Sequence, residues 1–355
     1  MTNKFGDVVD THPSGDYKLV PAADESPLEL AKMDSNLAYF AVLEALPHMD
    51  WSEALATLEA IEANTASAGR EWTWDLLTRL LDRRYDTGGL RRSLWLDLVE
   101  TALTRTLASA THEPCDGFVG QRTLGHRPEP ASDSQRIVID ARPYPPEGSE
   151  SLALEMVSLY HGGWKRFVLL HCQGHRFIGN GFGPDTSEVR IDVLGAIGDY
   201  LGSGSDGMEI HMHGNAQDQV AQIHKSGELV VHGDVGQCYG YGAKGGRLFV
   251  QGNAAGRPMI NAVGSPKLVI NGTALDYLAE SFMAGDPLDG GGFVIINGMR
   301  FDERGEPEAL ETPYPGGNLF SLASGGAIYV RDPHERLSDC LLYTSPSPRD
   351  ATLSR

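Results

Sequence analysis

Six glycines recur at nearly fixed intervals through the second half of this 355-residue chain: Gly195, Gly214, Gly233, Gly252, Gly272 and Gly298. The steps between them are 19, 19, 19, 20 and 26 residues, and each glycine closes a strand-like run: RIDVLG, EIHMHG, ELVVHG, RLFVQG, KLVING and FVIING. One strand per period of about 20 residues marks a solenoid, in which no single repeat can bury its own apolar face. The repeat restricts this half of the chain to stacked coils, a scaffold that carries no chemistry by itself.

The strands can be oriented. Four residues before each glycine stand Ile191, Ile210, Leu229, Leu248, Leu268 and Val294, and two before stand Val193, Met212, Val231, Val250, Ile270 and Ile296. Both columns are apolar and share one face of a period-two strand, so both are predicted to point inward. Stacking turns each column into a buried ladder that contributes at most about 9–18 kcal/mol, at about 1.5–3 kcal/mol per large apolar side chain. The residue just before each glycine reads Leu194, His213, His232, Gln251, Asn271 and Asn297, mostly polar and therefore predicted outward. The glycines suit a corner that needs positive φ or a close approach to the neighbouring coil.

The remaining chain sets the context. Residues 1–26 read as a flexible arm, and 27–110 as a helical bundle. Its helical segments are Asn36–Leu46, a helix opened by an Asp50/Glu53 capping box, Trp72–Tyr85 and Leu90–Leu107. Residues 111–135 form a loop-rich linker, and 136–188 an α+β segment leading into the repeat. That segment has strands RIVIDARPY, KRFVLLHC and HRFIGNGF and a helix SLALEMVSLY. The coils occupy 189–339, with extra loops at 286–292 and 301–318 and a last strand, GGAIYVRD. The predicted fold is thus mainly β, a parallel β-helix of about 20-residue coils preceded by an α-helical domain.

A net charge of −19 argues against nucleic acid or an anionic membrane surface as partner. With no 18-residue apolar run and no signal peptide, a cytoplasmic location is expected. Cys115, Cys172 and Cys238 are isolated, so clustered-thiolate iron–sulfur or zinc sites are not supported, and free buried thiols are expected. The segment Cys340–Asp350, CLLYTSPSPRD, resembles the in-frame translation of a sequencing-library adapter. Residues 340–355 are accordingly set aside from the fold, with the native chain expected to be cut near Asp339.

Several motifs carry a family resemblance: HGNAQDQ (213–219), GELVVHGDVGQCYGYGAKGGRLFVQGNAAGRP (227–258), LDYLAESFMAGD (275–286) and ASGGAIYVRD (323–332). Together with RIVIDAR and GHRFIG they resemble the C-terminal GXGXG domain of the glutamate synthase large (alpha) subunit, over about 136–332. A related solenoid occurs in one of the polypeptides of formylmethanofuran dehydrogenase. Residues 1–135 show no such resemblance. The resemblance implies a right-handed β-helix that holds amidotransferase and synthase parts together. It does not bring their machinery: Met1 is followed by Thr2 rather than a nucleophilic cysteine, and neither an FMN barrel nor a cysteine cluster is present. FMN, FAD and iron–sulfur groups are therefore expected only in partner subunits, the partners being a glutamate-synthase-like flavoprotein, an amidotransferase, or both. The implied role is a non-catalytic scaffold or interaction subunit in nitrogen and amino-acid metabolism.

Other local patterns admit sharper readings. Gly240–Gly245 matches GxGxxG, but a strand follows it where a dinucleotide site needs a helix. His211, His213, His224 and His232 cluster in two adjacent coils, with His213 and His232 at equivalent positions. A zinc-type site at His211, His213 and His232 is one reading. A polar outer ladder is the other, because the column continues as Gln251, Asn271 and Asn297. Asp199, Asp218, Asp234 and Asp276 follow the glycine corners, where carboxylates accept backbone turn hydrogens. Two of them acting as an acid/base pair would make the chain a self-sufficient enzyme, metal-dependent or carbohydrate-directed. The residues favour the scaffold, with no catalytic, cofactor-binding or metal residue assigned.

Overall fold

A computed structural model describes Leu30, residues 33–109, 117–121, 125–338 and Leu341. The predicted arm, Cys115 and all of 340–355 except Leu341 lie outside the described residues. Leu341 itself packs partly buried against the main core, and its carbonyl accepts the Leu319 N–H at 3.1 Å.

Four helices come first: α1 (Ser35–Ala45), α2 (Trp51–Ala68), α3 (Arg70–Asp82) and α4 (Arg92–Ala108). The capping box forms at α2, where Asp50 Oδ1 accepts the Glu53 N–H at 2.9 Å and Glu53 Oε2 accepts the Asp50 N–H at 2.7 Å. Gly69, at φ 88°, separates α2 from α3. α3 ends at Asp82 because Arg83 is already extended. Among the described residues, no helix is long and apolar enough to cross a membrane.

Ten strands form one sheet in which every neighbouring pair is parallel. In order they are β1 (Phe118–Gly120), β2 (Arg136–Asp140), β3 (Arg166–Gln173), β4 (Arg190–Ala196), β5 (Asp206–Met212), β6 (Ser226–Val231), β7 (Arg247–Val250), β8 (Lys267–Ile270) and β9 (Phe293–Ile296), with a last strand at Ala327–Val330. The sheet has two free ends and does not close into a barrel. Helix α5 (Leu152–His161) connects β2 to β3. From β3 to β9 the chain returns from each strand to the next without an α-helix.

Those returns are themselves stacked. Isolated parallel bridges join Ala216, Val235, Ala254 and Ala274 in one column, and Val263, Met283 and Gly325 in another. Between the columns, alternate residues take positive φ, as at Cys238, Gly240 and Gly242 (59°, 66°, 63°) and at Tyr277, Ala279 and Ser281 (61°, 53°, 53°). The alternation turns successive N–H groups in opposite directions: Gln219 and Ile223 donate forward to Gln237 and Tyr241, while Ala221 donates back to Leu201. Each return is thereby hydrogen-bonded to both neighbours, which outweighs about 1–2 kcal/mol of strain per non-glycine residue.

Both apolar columns run in strict register, Ile191 to Ile210, Leu229, Leu248, Leu268 and Val294, with Val193 to Ile296 beside them. They are buried throughout and continue upstream into Ile137, Ile139, Phe167 and Leu169.

The middle repeat glycines serve close approach rather than dihedral freedom. Gly233, Gly252 and Gly272 do not have positive φ. A Cβ on Gly252 would overlap Asp234 Oδ1 and lie 2.8 Å from the Gly233 carbonyl oxygen.

Three expectations are corrected. HRFIGNGF (175–182) is not a strand, since Phe177, Gly179 and Gly181 take φ of 62°, 82° and 82°. The supposed linker contributes β1, which pairs with β2 although three residues are too few to show a pattern. The 301–318 excursion begins as an antiparallel pair, β10 (Met299–Phe301) with β11 (Pro307–Ala309); the final strand is β12.

Candidate functional site at the helix and sheet junction

The outward face of the sheet is not uniformly polar. Phe118, Val138, Val168, Leu170 and Leu194, from β1 to β4, join the helices in a second core, with Trp74 6.1 Å from Phe118 between ring centroids. The predicted outward Leu194 is thus covered by helix, which explains why this position is apolar. Where that cover ends, α3 delivers its last residue, Asp82, onto the sheet.

Asp82 meets His213 just beyond β5. His213 Nδ1 donates to Asp82 Oδ1 at 2.9 Å, and Nε2 donates to Asp192 Oδ1 of β4 at 3.2 Å. Arg190 holds Asp192 from two nitrogens, at 3.0 and 2.9 Å, and reaches Glu209 at 2.7 Å. Glu209 accepts from His211 Nε2 at 2.7 Å, leaving His211 Nδ1 as an acceptor 3.2 Å from His232 Nε2. His232 Nε2 lies 3.6 Å from Asp82 Oδ2. The His213 and His232 rings stack 5.4 Å apart and 2° from parallel, and Trp74 stands edge-on to His213 at 5.8 Å. Arg84 donates to the His232 carbonyl at 3.3 Å.

Burial disfavours charge on these groups, and their partners decide which keep it. Burial opposes ionisation of Asp192, but hydrogen bonds from His213 and Arg190 hold its carboxyl well below the usual range. Burial likewise opposes charge on His213, yet the Asp82 carboxylate and the bonds to Asp192 and Asp82 push it up to about 10. His232 moves the other way: burial, reinforced by His213 and His211, lowers it to about 4 despite Asp82. At neutral pH a charged imidazole therefore lies against a neutral one.

The structure brings His211, His213 and His232 together and adds Asp82, Asp192 and Glu209. His224 stands apart, buried with Nδ1 2.6 Å from Ser205 Oγ. Asp82 is 131 residues from His213, and no sequence pattern links them. Asp192 did leave a signal: in register with it and His211 stand Val230, Phe249, Val269 and Ile295, so a carboxylate there breaks an apolar column.

The corner carboxylates are occupied with backbone. Asp199, Asp218, Asp234 and Asp276 accept N–H groups from Asp218, Gln237, Asn253 and Gly317, each bond stitching one coil to the next. Gly240 and Gly242 take left-handed conformations within a return, and no helix follows them. Cys172 and Cys238 are free; burial pushes the Cys172 thiol up to about 12, so it is no thiolate at neutral pH. Two surface hollows, about 470 and 350 Å³, are lined by Arg300, Glu308 and His334 and by Glu100, Arg105 and His171, away from the histidine cluster.

A ten-stranded parallel sheet with stitched, helix-free returns defines a β-rich scaffold. Residues 170–342, just under half the chain, match the family model of the GXGXG motif. This region belongs to that family, the one to which the C-terminal domain of the glutamate synthase alpha subunit belongs. No curated protein and no solved structure matched in the same comparisons.

Proposed function

We propose that this chain is a non-catalytic scaffold or interaction subunit of a glutamate-synthase-like oxidoreductase complex of the cytoplasm, and that its sheet winds as a right-handed parallel β-helix. The observation that carries the reading is the GXGXG match, which falls on the parallel strands and their stacked returns. Flavin and iron–sulfur chemistry would belong to the partners, a flavoprotein or an amidotransferase.

The outer face supports a docking role. Beyond the helical cover, Val230, Phe249, Val269 and Ile295 form an apolar stripe in register, only half-buried, and Tyr329 extends it at 49 % exposure. A contiguous, partly exposed apolar stripe of this kind suits a partner surface.

The test is co-expression with flavoprotein and amidotransferase chains of this class, followed by size-exclusion analysis. Co-elution is expected, and Phe249→Glu should weaken association by roughly tenfold or more while leaving the fold intact. Stoichiometric FMN in the isolated chain, or turnover of glutamine without partners, would overturn the reading.

A further inference from the structure

The seam between α3 and the sheet gathers two imidazoles and a carboxylate from distant parts of the chain. We propose that Asp82, His213 and His232 bind one divalent cation of the zinc class, through a carboxylate oxygen, Nδ1 and Nε2 respectively. These three ligand atoms lie within 4.8 Å of one another. Two of the separations are 2.9 Å, from His213 to Asp82, and 3.6 Å, from His232 to Asp82. Ligands about 2.0–2.1 Å from a tetrahedral zinc are ~3.3–3.4 Å apart, so these atoms need move by only a few tenths of an ångström.

The surroundings are those of a ligating histidine. Metal-bound imidazoles donate their second nitrogen to a carboxylate, and His213 Nε2 already does so to Asp192, itself fixed by Arg190. His211 repeats the arrangement with Glu209 behind it and sets a further nitrogen 3.2 Å from His232 Nε2. In the next coil of the column, Gln251 Oε1 is buried without a hydrogen-bond partner. Two nitrogens and one carboxylate select zinc, cobalt or nickel over magnesium and calcium, which take oxygen ligands. When the cation binds, the His213 Nδ1 proton leaves to solvent and its lone pair forms the new bond. One ligand comes from α3 and two from the sheet, so the cation would tie the helical layer to the coils.

The full chain, stripped with a chelator, is titrated with Co(II) alone. A visible ligand-field band saturating at one equivalent is expected, displaced by Zn(II), together with a rise in melting temperature on adding either metal. His232→Ala should abolish the band. Asp192→Asn should weaken binding by roughly 10–100-fold, as loss of an outer partner does. Glu228→Gln should leave the band intact. A wild-type chain that shows neither band nor melting shift with excess Co(II) overturns the proposal, and this result needs no variant to fold. A band retained in His232→Ala and lost in Glu228→Gln would also overturn it, by placing the metal on Glu209, His211 and Glu228.

Discussion

Replacing Gly252 with alanine separates two reasons for a repeat glycine. Its φ is not positive, so alanine incurs no left-handed strain there. The new Cβ would instead overlap Asp234 Oδ1 and press on the Gly233 carbonyl oxygen at 2.8 Å. The carboxylate cannot retreat freely, because Oδ1 accepts the Asn253 N–H at 2.7 Å. Overpacking costs about 1–3 kcal/mol, and loss of a hydrogen bond to a charged group about 1.5–3 kcal/mol. The stiffer unfolded chain returns about 0.4–1 kcal/mol, for a net loss of about 2–5 kcal/mol. Gly204→Ala is the counterpart: φ is 70° and nothing lies within 4 Å of the added Cβ. Only left-handed strain of about 1–2 kcal/mol applies, less the same unfolded-state term, leaving about 0–1.5 kcal/mol. Urea unfolding followed by far-UV circular dichroism reads both variants. In a cycle with Asp234→Ala the double variant should lose less than the sum, since the same hydrogen bond is broken once. Gly252→Ala within about 0.5 kcal/mol of wild type, or Gly204→Ala costing more, would refute the close-approach account.

Two further outcomes are expected. Val231→Asp places an unpaired charge between Met212 and Val250 in a fully buried ladder and should cost more than about 4 kcal/mol. A variant melting within a few degrees of the parent would show that this column does not face a dry core. Burial lowers His224 to about 4 from an ordinary 6.5. A folded-state value below the unfolded one means that the stability it represents is complete above about pH 6.5 and is lost as pH falls toward 4, about 3 kcal/mol in all. Urea midpoints across that window should fall less in His224→Asn than in wild type, and identical pH profiles would count against the assignment.

The sequence showed the sheet wherever its pattern was local. Strands β4 to β9 were legible because inward residues alternate within each strand and repeat at 19 or 20 residues, so two periods agree. The left-handed returns were not, because most of their positive-φ positions hold residues such as Cys238, Arg257 and Tyr277, which announce nothing. Their conformation is imposed by hydrogen bonds to the coils on either side, a tertiary cause invisible within one repeat. For the same reason GxGxxG at Gly240 misleads as a fingerprint: its glycines answer to neighbouring coils, and a Cβ on Gly240 would approach Leu248 Cδ1 at 3.2 Å.

The histidine site was half legible, and the half that was missed explains the other. Its position in the outward column suggested a solvated polar ladder, and Gln251, Asn271 and Asn297 continue that column half-buried. His213 differs from them because the helices end above it. Buried beside Trp74, it has no water to solvate it, and Asp82 and Asp192 supply the two acceptors its ring nitrogens need. The chain thus carries carboxylates where the helical cover stops and apolar outward residues under that cover. The same relation read in reverse gives Val230, Phe249 and Val269 their meaning. An outward column that returns to apolar residues with no helix of its own above it is the part of the sheet that still lacks a cover, and there a partner would complete the fold's outer layer.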